Sequence, residues 1–407
     1  MPIRTVPLWL DRYPKSRRPS YPRFRGDLET DVVIVGGGLT GCVSAWSFAS
    51  AGVRTILLEA GSIGRSGTAE SAGWIREDFD ASFRESTIAH GLRASRTMWQ
   101  MMRRASLDFS AAIRRLGIRC DLAPSDCLTV ARAYSDSARL LQREYQSRRD
   151  AGLDHVWLKP AAVNRDAAIE SGGAIRTHGF TLDPYRACVG FAAAAASRGA
   201  VLHEDSPVRR IRAGRKQVTV ATAAGTIRAS AVLVATSAAL TDLRALRRHL
   251  KAVDGYSVVT EPLPAAVRRQ AGSRSSVLRD GDAPPHSLRW LKDDRALFGG
   301  ADQPAVADRA QSKALIQRTG QLMYELSVLY PAISGLQPEW AWSSTHYETV
   351  DRLPYIGLHR NFPRHLFAMG AAQHGAGVAW LAGRILLRQY QKEPAKGDDL
   401  FGFSRVL

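Results

Sequence analysis

The chain has 407 residues, 45% of them hydrophobic, enough to bury a large core and to divide into about two domains. Lys and Arg outnumber acids 56 to 38, a net charge of +18, yet the arginines come as scattered pairs such as Arg209-Arg210 and Arg247-Arg248 rather than a stripe interleaved with aromatics, so a solvated basic surface is expected and no nucleic-acid partner. Four cysteines, Cys42, Cys120, Cys127 and Cys188, lack metal or dithiol spacing and suit a reducing, cytoplasmic compartment, and no apolar run reaches the roughly 18 residues of a membrane span.

Residues 1–27 carry five prolines and many basic groups, which predicts an extended arm on the surface. Residues 31–35 then form a short buried strand that runs into Gly36-x-Gly38-x-x-Gly41. Gly36 permits the tight turn, Gly38 lets a pyrophosphate approach, and Gly41 lets the next helix pack on the strand. Leu39 to Ala51 supplies that helix, whose N–H groups and positive dipole end attract phosphate. Thr55 to Leu58 is the second strand, and Glu59 stands where a carboxylate accepts from ribose hydroxyls. The same carboxylate repels a 2′-phosphate, which leaves NAD or FAD. Residues 61–73, GSIGRSGTAESAG, read as a long loop with free backbone donors, better suited to the pyrophosphate and ribityl chain of FAD, with Arg65 near the phosphates.

Further along, residues 84–117 read as one helix, 136–150 as a charged helix, and 160–169 as a third. A turn at Asp183-Pro184 opens an alanine-rich helix, and Ala200 to His203 a strand. Alternation over 207–235 predicts a small sheet feeding back into the main one, so the domains interleave. Strands follow at Tyr256–Thr260, Ser287–Leu291 and Ala296–Phe298, then a long helix over Ala310–Leu329. Trp340–Thr345 and His365–Met369 read as strands, and a second glycine-rich corner, Gly370 to Gly377, opens the last helix.

In chain order, DVVIVGGGLTG, LLEAGSIGRSG, TLDPYRACVGFAAAAASRGAVL, SPVRRI, ASAVLVAT, VVTEPLP, ALFGGAD, DRLPYIG and GAAQHGAG resemble the D-amino-acid-oxidase-like FAD-dependent oxidoreductases, which include glycine and sarcosine oxidases and γ-glutamylputrescine oxidoreductases. The resemblance spans residues 28–390. It implies an α/β fold: a Rossmann-like FAD domain (28–95, 175–240 and 340–395) interleaved with an α+β substrate domain (96–174 and 241–339) on a mixed, largely antiparallel sheet, with residues 396–407 as a tail.

The resemblance implies that Gly36, Gly38, Gly41 and Glu59, with the adjoining Leu39, Thr40 and Ala60, hold the ADP half. Arg65 and Ser66 would meet pyrophosphate and ribityl groups, Val208 the adenine, and Gly370, His374, Gly375 and Gly377 the flavin ring. Relatives with covalent flavin use a His in the loop or a Cys near the end; neither stands here, so non-covalent FAD is expected. The implied reaction is oxidation of a C–N bond of an amine or amino acid by hydride transfer to flavin N5, with hydrolysis of the imine and reoxidation by oxygen or another acceptor. His346, Tyr256, Arg289, Tyr355 and His374 are the candidate pocket residues. His346 replaces the Arg with which glycine-oxidase-like relatives bind a substrate carboxylate. The residues leave open an NAD-dependent dehydrogenase on a Rossmann domain, or a non-catalytic flavin-binding protein.

Overall fold

The computed structural model describes residues 2–237, 241–281, 285–370 and 376–406. Two eight-stranded sheets organise it. The first is built on the parallel neighbours Val201–His203, Thr55–Leu58, Leu28–Val35, Thr226–Ser237 and Phe362–Met369. Its central strand ends in four buried residues, Val32 to Val35: helices cover the Val32 and Ile34 face, and Val218, Val220, Leu243 and Leu246 cover Val33 and Val35. The first half of Thr226–Ser237 pairs antiparallel with Val218–Ala221, which pairs with Arg210–Ala213. Tyr355–His359 closes the far edge against Phe362–Met369.

Around this sheet, Leu39–Ser50 packs on Ala376–Gln391 and on Pro184–Ser197. Pro184 at the first turn and the Asp183 carboxylate, which accepts from Arg186 N at 2.9 Å, start the alanine-rich helix where the sequence predicted a turn. The helix expected over 84–117 is two, Phe83–His90 and Leu92–Arg115. Gly91 separates them at φ 82°, and a capping box of Ser82 and Glu85 starts the first.

The second sheet runs in the order 338–348, 251–260, 296–304, 287–290, 277–280, 127–131, 173–177 and 156–158, antiparallel except where Val277–Asp280 meets Cys127–Ala131. The helix Asp308–Leu329 covers one of its faces through Leu322 and Leu326. Pro338–Glu348 belongs here, in a long register with Lys251–Thr260, although the sequence grouped residues from 340 on with the nucleotide domain. Gly299 and Gly300 do not end their strand, which continues to Pro304.

Both chain ends are anchored. The expected extended arm contains a short helix, Leu8–Arg12, that buries Leu8, Trp9 and Leu10 in the largest core cluster. At the other end Phe401 and Phe403 are buried, and Arg405 reaches Asp351. Among the described residues no helix is long and apolar enough to cross a membrane.

Candidate active site

A cleft of about 350 Å³ opens at the carboxyl ends of the first sheet's parallel strands, where open α/β sheets place ligands. Its floor is Val35, Gly36, Gly38, Leu39 and Thr40; Leu58, Glu59 and Ala60 form one end with Pro207 and Val208. Ser66 to Thr68, Ser71, Ala235 and Thr236 line its length. The far wall is Ser344 to Tyr347, from the second sheet, with Ala376 at the start of the last helix.

The glycines make this geometry. Gly36 sits at φ 109° with the Ala235 carbonyl 2.7 Å from where a Cβ would be. Gly41 does not line the cleft; it brings the helix onto the strand, since a Cβ there would sit 1.8 Å from Gly36 O. At the strand tip, Glu59 Oε2 accepts from Gly37 N at 2.6 Å and Oε1 from Gly61 N at 2.9 Å, which fixes the carboxylate beside the cleft. The N-terminus of the helix Leu39–Ser50 faces the same space, with Leu39 N donating to Thr68 Oγ1 at 2.9 Å. A glycine floor, a helix N-terminus and a fixed carboxylate at one end fit an extended dinucleotide, and the continuation of the cleft to the second sheet provides room for a flavin.

The loop after the second strand is held by its carbonyls. Trp342 Nε1 donates to Glu70 O at 2.9 Å and Trp9 Nε1 to Ser71 O at 2.9 Å. Arg289 Nη1 donates to Ala72 O at 2.8 Å, and to Gly73 O and Leu182 O at 2.7 Å. Four consecutive carbonyls thus bind donors from the arm and the second sheet. Residues 61–73, read as a loop, contain one helical turn, Gly67–Glu70. Burial pushes the Glu70 carboxyl up to about 7.

Of the expected pocket residues, His346 lines the cleft. It continues the strand face that buries Trp340 and Trp342, and Nε2 lies 3.8 Å from Asp302 Oδ2 and 3.7 Å from Glu348 Oε1. Burial raises Asp302 to about 6, whereas the hydrogen bond from His346 lowers Glu348.

Three others do not line it. Tyr256 packs on the opposite face of its sheet with Leu322 and Leu326, and its hydroxyl accepts from Gln303 Nε2 at 2.7 Å. Arg289 is the loop clamp just described and lines a different cavity. Tyr355 is stacked on Phe403 at 4.6 Å, with the Arg405 guanidinium 4.0 Å over its ring, inside the core of the first sheet.

Among the cofactor candidates, Gly36, Gly38, Leu39, Thr40, Glu59, Ala60, Ser66 and Val208 line the cleft. Arg65 is exposed and is not in its wall. Gly370, at φ 69°, ends its strand against Thr349, and Gly377 packs the last helix against Met102 and the Arg76 carbonyl, so both act in packing. His374 and Gly375 lie outside the described residues. Thr68, Ser71, Thr236, Ser344 and Tyr347 line the cleft without having been singled out. Thr68 and Ser71 lay inside the expected loop, where hydroxyl-rich composition was the available signal.

A family model described as FAD-dependent oxidoreductase matches residues 31–389. The chain belongs to this family of FAD-dependent oxidoreductases. Among curated relatives of this oxidoreductase, γ-glutamylputrescine oxidoreductase of Escherichia coli K12 is 26% identical over 90% of this chain and 85% of its own length. Glycine oxidase of Bacillus licheniformis is 25% identical over 92% of this chain and 96% of its own. In fold, the crystal structure of glycine oxidase from Geobacillus kaustophilus superposes with a TM-score of 0.75 at 22% identity, over 93% of this chain and all of the other. The oxidoreductase therefore takes FAD, and the NAD alternative is set aside.

Proposed function

We propose that the chain oxidises a C–N bond of a small amine or amino acid with non-covalently held FAD, with oxygen or another carrier as terminal acceptor. The observation that carries this reading is the continuity of one cleft from the glycine loop and Glu59 to His346 on the second sheet. The relatives named glycine oxidase and γ-glutamylputrescine oxidoreductase support the substrate class. Bound FAD would supply a two-electron acceptor for hydride at flavin N5.

The chain's own residues supply position and proton handling. Gly36, Gly38, Leu39, Thr40, Glu59, Ala60, Ser66 and Val208 would hold the cofactor. The wall Ser344–Tyr347 would place a substrate C–H against the ring and keep water out. The imidazole of His346 is the group on that wall suited to take a proton from a substrate ammonium, since a protonated nitrogen cannot release hydride from the neighbouring carbon. Asp302 and Glu348, behind it, stabilise the imidazolium that results. The imine released then hydrolyses in water.

Non-covalent attachment is supported by the wall itself: the described lining residues include no cysteine, and residues 61–73 contain neither His nor Cys. Four free, buried cysteines support a reducing compartment, the cytoplasm. Two measurements test the proposal. Acid precipitation should leave all flavin in the supernatant, and flavin on the pellet would refute non-covalent binding. An anaerobic screen of amines, N-methyl amino acids and D-amino acids should find compounds that bleach the bound flavin; a chain whose flavin none of them bleaches is not this enzyme.

A further inference from the structure

A second cavity, of about 250 Å³, lies between the N-terminal arm and the second sheet, behind the loop that borders the flavin cleft. Trp9, Arg12, Ser276, Arg289, Trp290 and Lys292 are among its lining residues. It is below the roughly 300–1,000 Å³ of clefts for drug-sized ligands, which restricts the occupant to a small molecule.

Its chemistry is set by Arg289. The residue is 8% exposed, and Nη1 is committed to three carbonyls. Nε is buried without a hydrogen-bond partner, and no carboxylate forms a salt bridge with this guanidinium among the described residues. Arg12 and Lys292, by contrast, pair with Asp293 and Asp121. Burial pushes Arg289 down to about 10, although the charges of Asp183 and Asp121 pull it the other way. The Trp9 ring lies 5.0 Å from the guanidinium carbon and gives the cavity an aromatic wall.

We propose that this cavity binds a small organic carboxylate, whose oxygens pair with the Arg289 guanidinium, near the positive charge of Lys292, and whose apolar body lies against Trp9. A planar guanidinium edge matches a carboxylate in geometry as well as charge. The same guanidinium fixes Ala72 and Gly73, two residues beyond the cleft-lining Ser71, so the occupant acts on the group that holds the flavin-side loop. Carboxylate and flavin then favour each other's binding, and by linkage the effect is reciprocal.

Calorimetric titration of the FAD-loaded protein with phenylacetate, and with neutral phenylacetamide, tests this. The expected result is one saturable phenylacetate site, no phenylacetamide binding, at least tenfold weaker binding in Arg289→Gln, and loss of binding in Ser276→Phe, which fills the cavity. Lys292→Glu, on an exposed side chain, should weaken binding severalfold while leaving the loop clamp intact; with Ser276→Phe it decides the matter if Arg289→Gln does not fold. Flavin release into dilute buffer should slow when phenylacetate is present. The proposal is overturned if no saturable heat appears, if phenylacetamide binds equally, or if Ser276→Phe and Lys292→Glu bind as the unmodified chain does. Loss of binding only in His346→Ala would place the molecule in the flavin cleft and equally overturn it.

Discussion

A methyl group added at Gly41 would stand 1.8 Å from the carbonyl oxygen of Gly36. Because the obstacle is backbone rather than a movable side chain, Gly41→Ala must push the helix Leu39–Ser50 away from the strand Leu28–Val35. Overpacking of this kind costs about 1–3 kcal/mol, and here it also displaces the helix N-terminus that faces the cleft. The purified variant should melt lower and carry little flavin. A flavin-to-protein ratio equal to that of the unmodified chain would contradict this.

Glu59 accepts from two backbone N–H groups as well as bordering the cleft. Hydrogen bonds to a charged acceptor contribute about 1.5–3 kcal/mol each, so Glu59→Ala leaves Gly37 N without its partner at the centre of the glycine turn. FAD affinity, measured by fluorescence recovery on dilution, should fall tenfold or more.

Glu70 yields a pH prediction with a definite sign. Burial raises its carboxyl from 4.5 to about 7, so the folded chain holds that proton more tightly than the unfolded chain does. Stability from this group is full below about pH 4.5 and is lost as pH rises through 7. Glu70→Gln removes the titration. It should change melting little at pH 5 and stabilise the protein by on the order of 3 kcal/mol at pH 8. Equal effects at both pH values would show that Glu70 is not buried in this way.

Arg405 clasps Asp351 with Nε at 2.7 Å and Nη2 at 2.9 Å, and both side chains are at most 8% exposed. His90 Nε2 meets the same carboxylate at 3.0 Å. Removing one member of a buried pair costs about 3–5 kcal/mol, reduced here by what His90 and the Leu353 N–H still supply to Asp351. Arg405→Ala should therefore lower the denaturation midpoint sharply, as should truncation after residue 396. The hydrogen bond and charge of Arg405 hold Asp351 below the usual carboxylate range despite burial, so this contribution is present at neutral pH and lost in acid.

His346→Ala should separate binding from chemistry. The residue borders the end of the cleft away from Glu59, so flavin content should hold while amine-dependent bleaching slows about a hundredfold or more. A variant that loses flavin instead would make His346 a cofactor-holding residue.

What the sequence made legible was contiguous. Gly36, Gly38 and Glu59 are close along the chain, and each has a conformational or chemical task that its residue type announces. The substrate wall had no such announcement. Lys251–Thr260 is buried over eight successive residues, so alternation could not say that Tyr256 turns toward Leu322 rather than toward His346. Arg289 and Tyr355 failed for a related reason: their partners, the carbonyls of 72, 73 and 182 and the ring of Phe403, are remote in sequence. The paired arginines likewise gave charge without position. Asp351 stood in a motif read through its likeness to oxidases, and its partner, Arg405, lies in what the sequence presented as a bare tail.

The strand Leu28–Val35 lies between Thr55–Leu58 and Thr226–Ser237. Its second neighbour leaves the ribosome on the order of two hundred residues later, which at roughly 5–20 residues per second means about 10–40 s. During that interval an apolar strand edge has no partner of its own, and nascent chains stalled before residue 226 are the species that should require a chaperone.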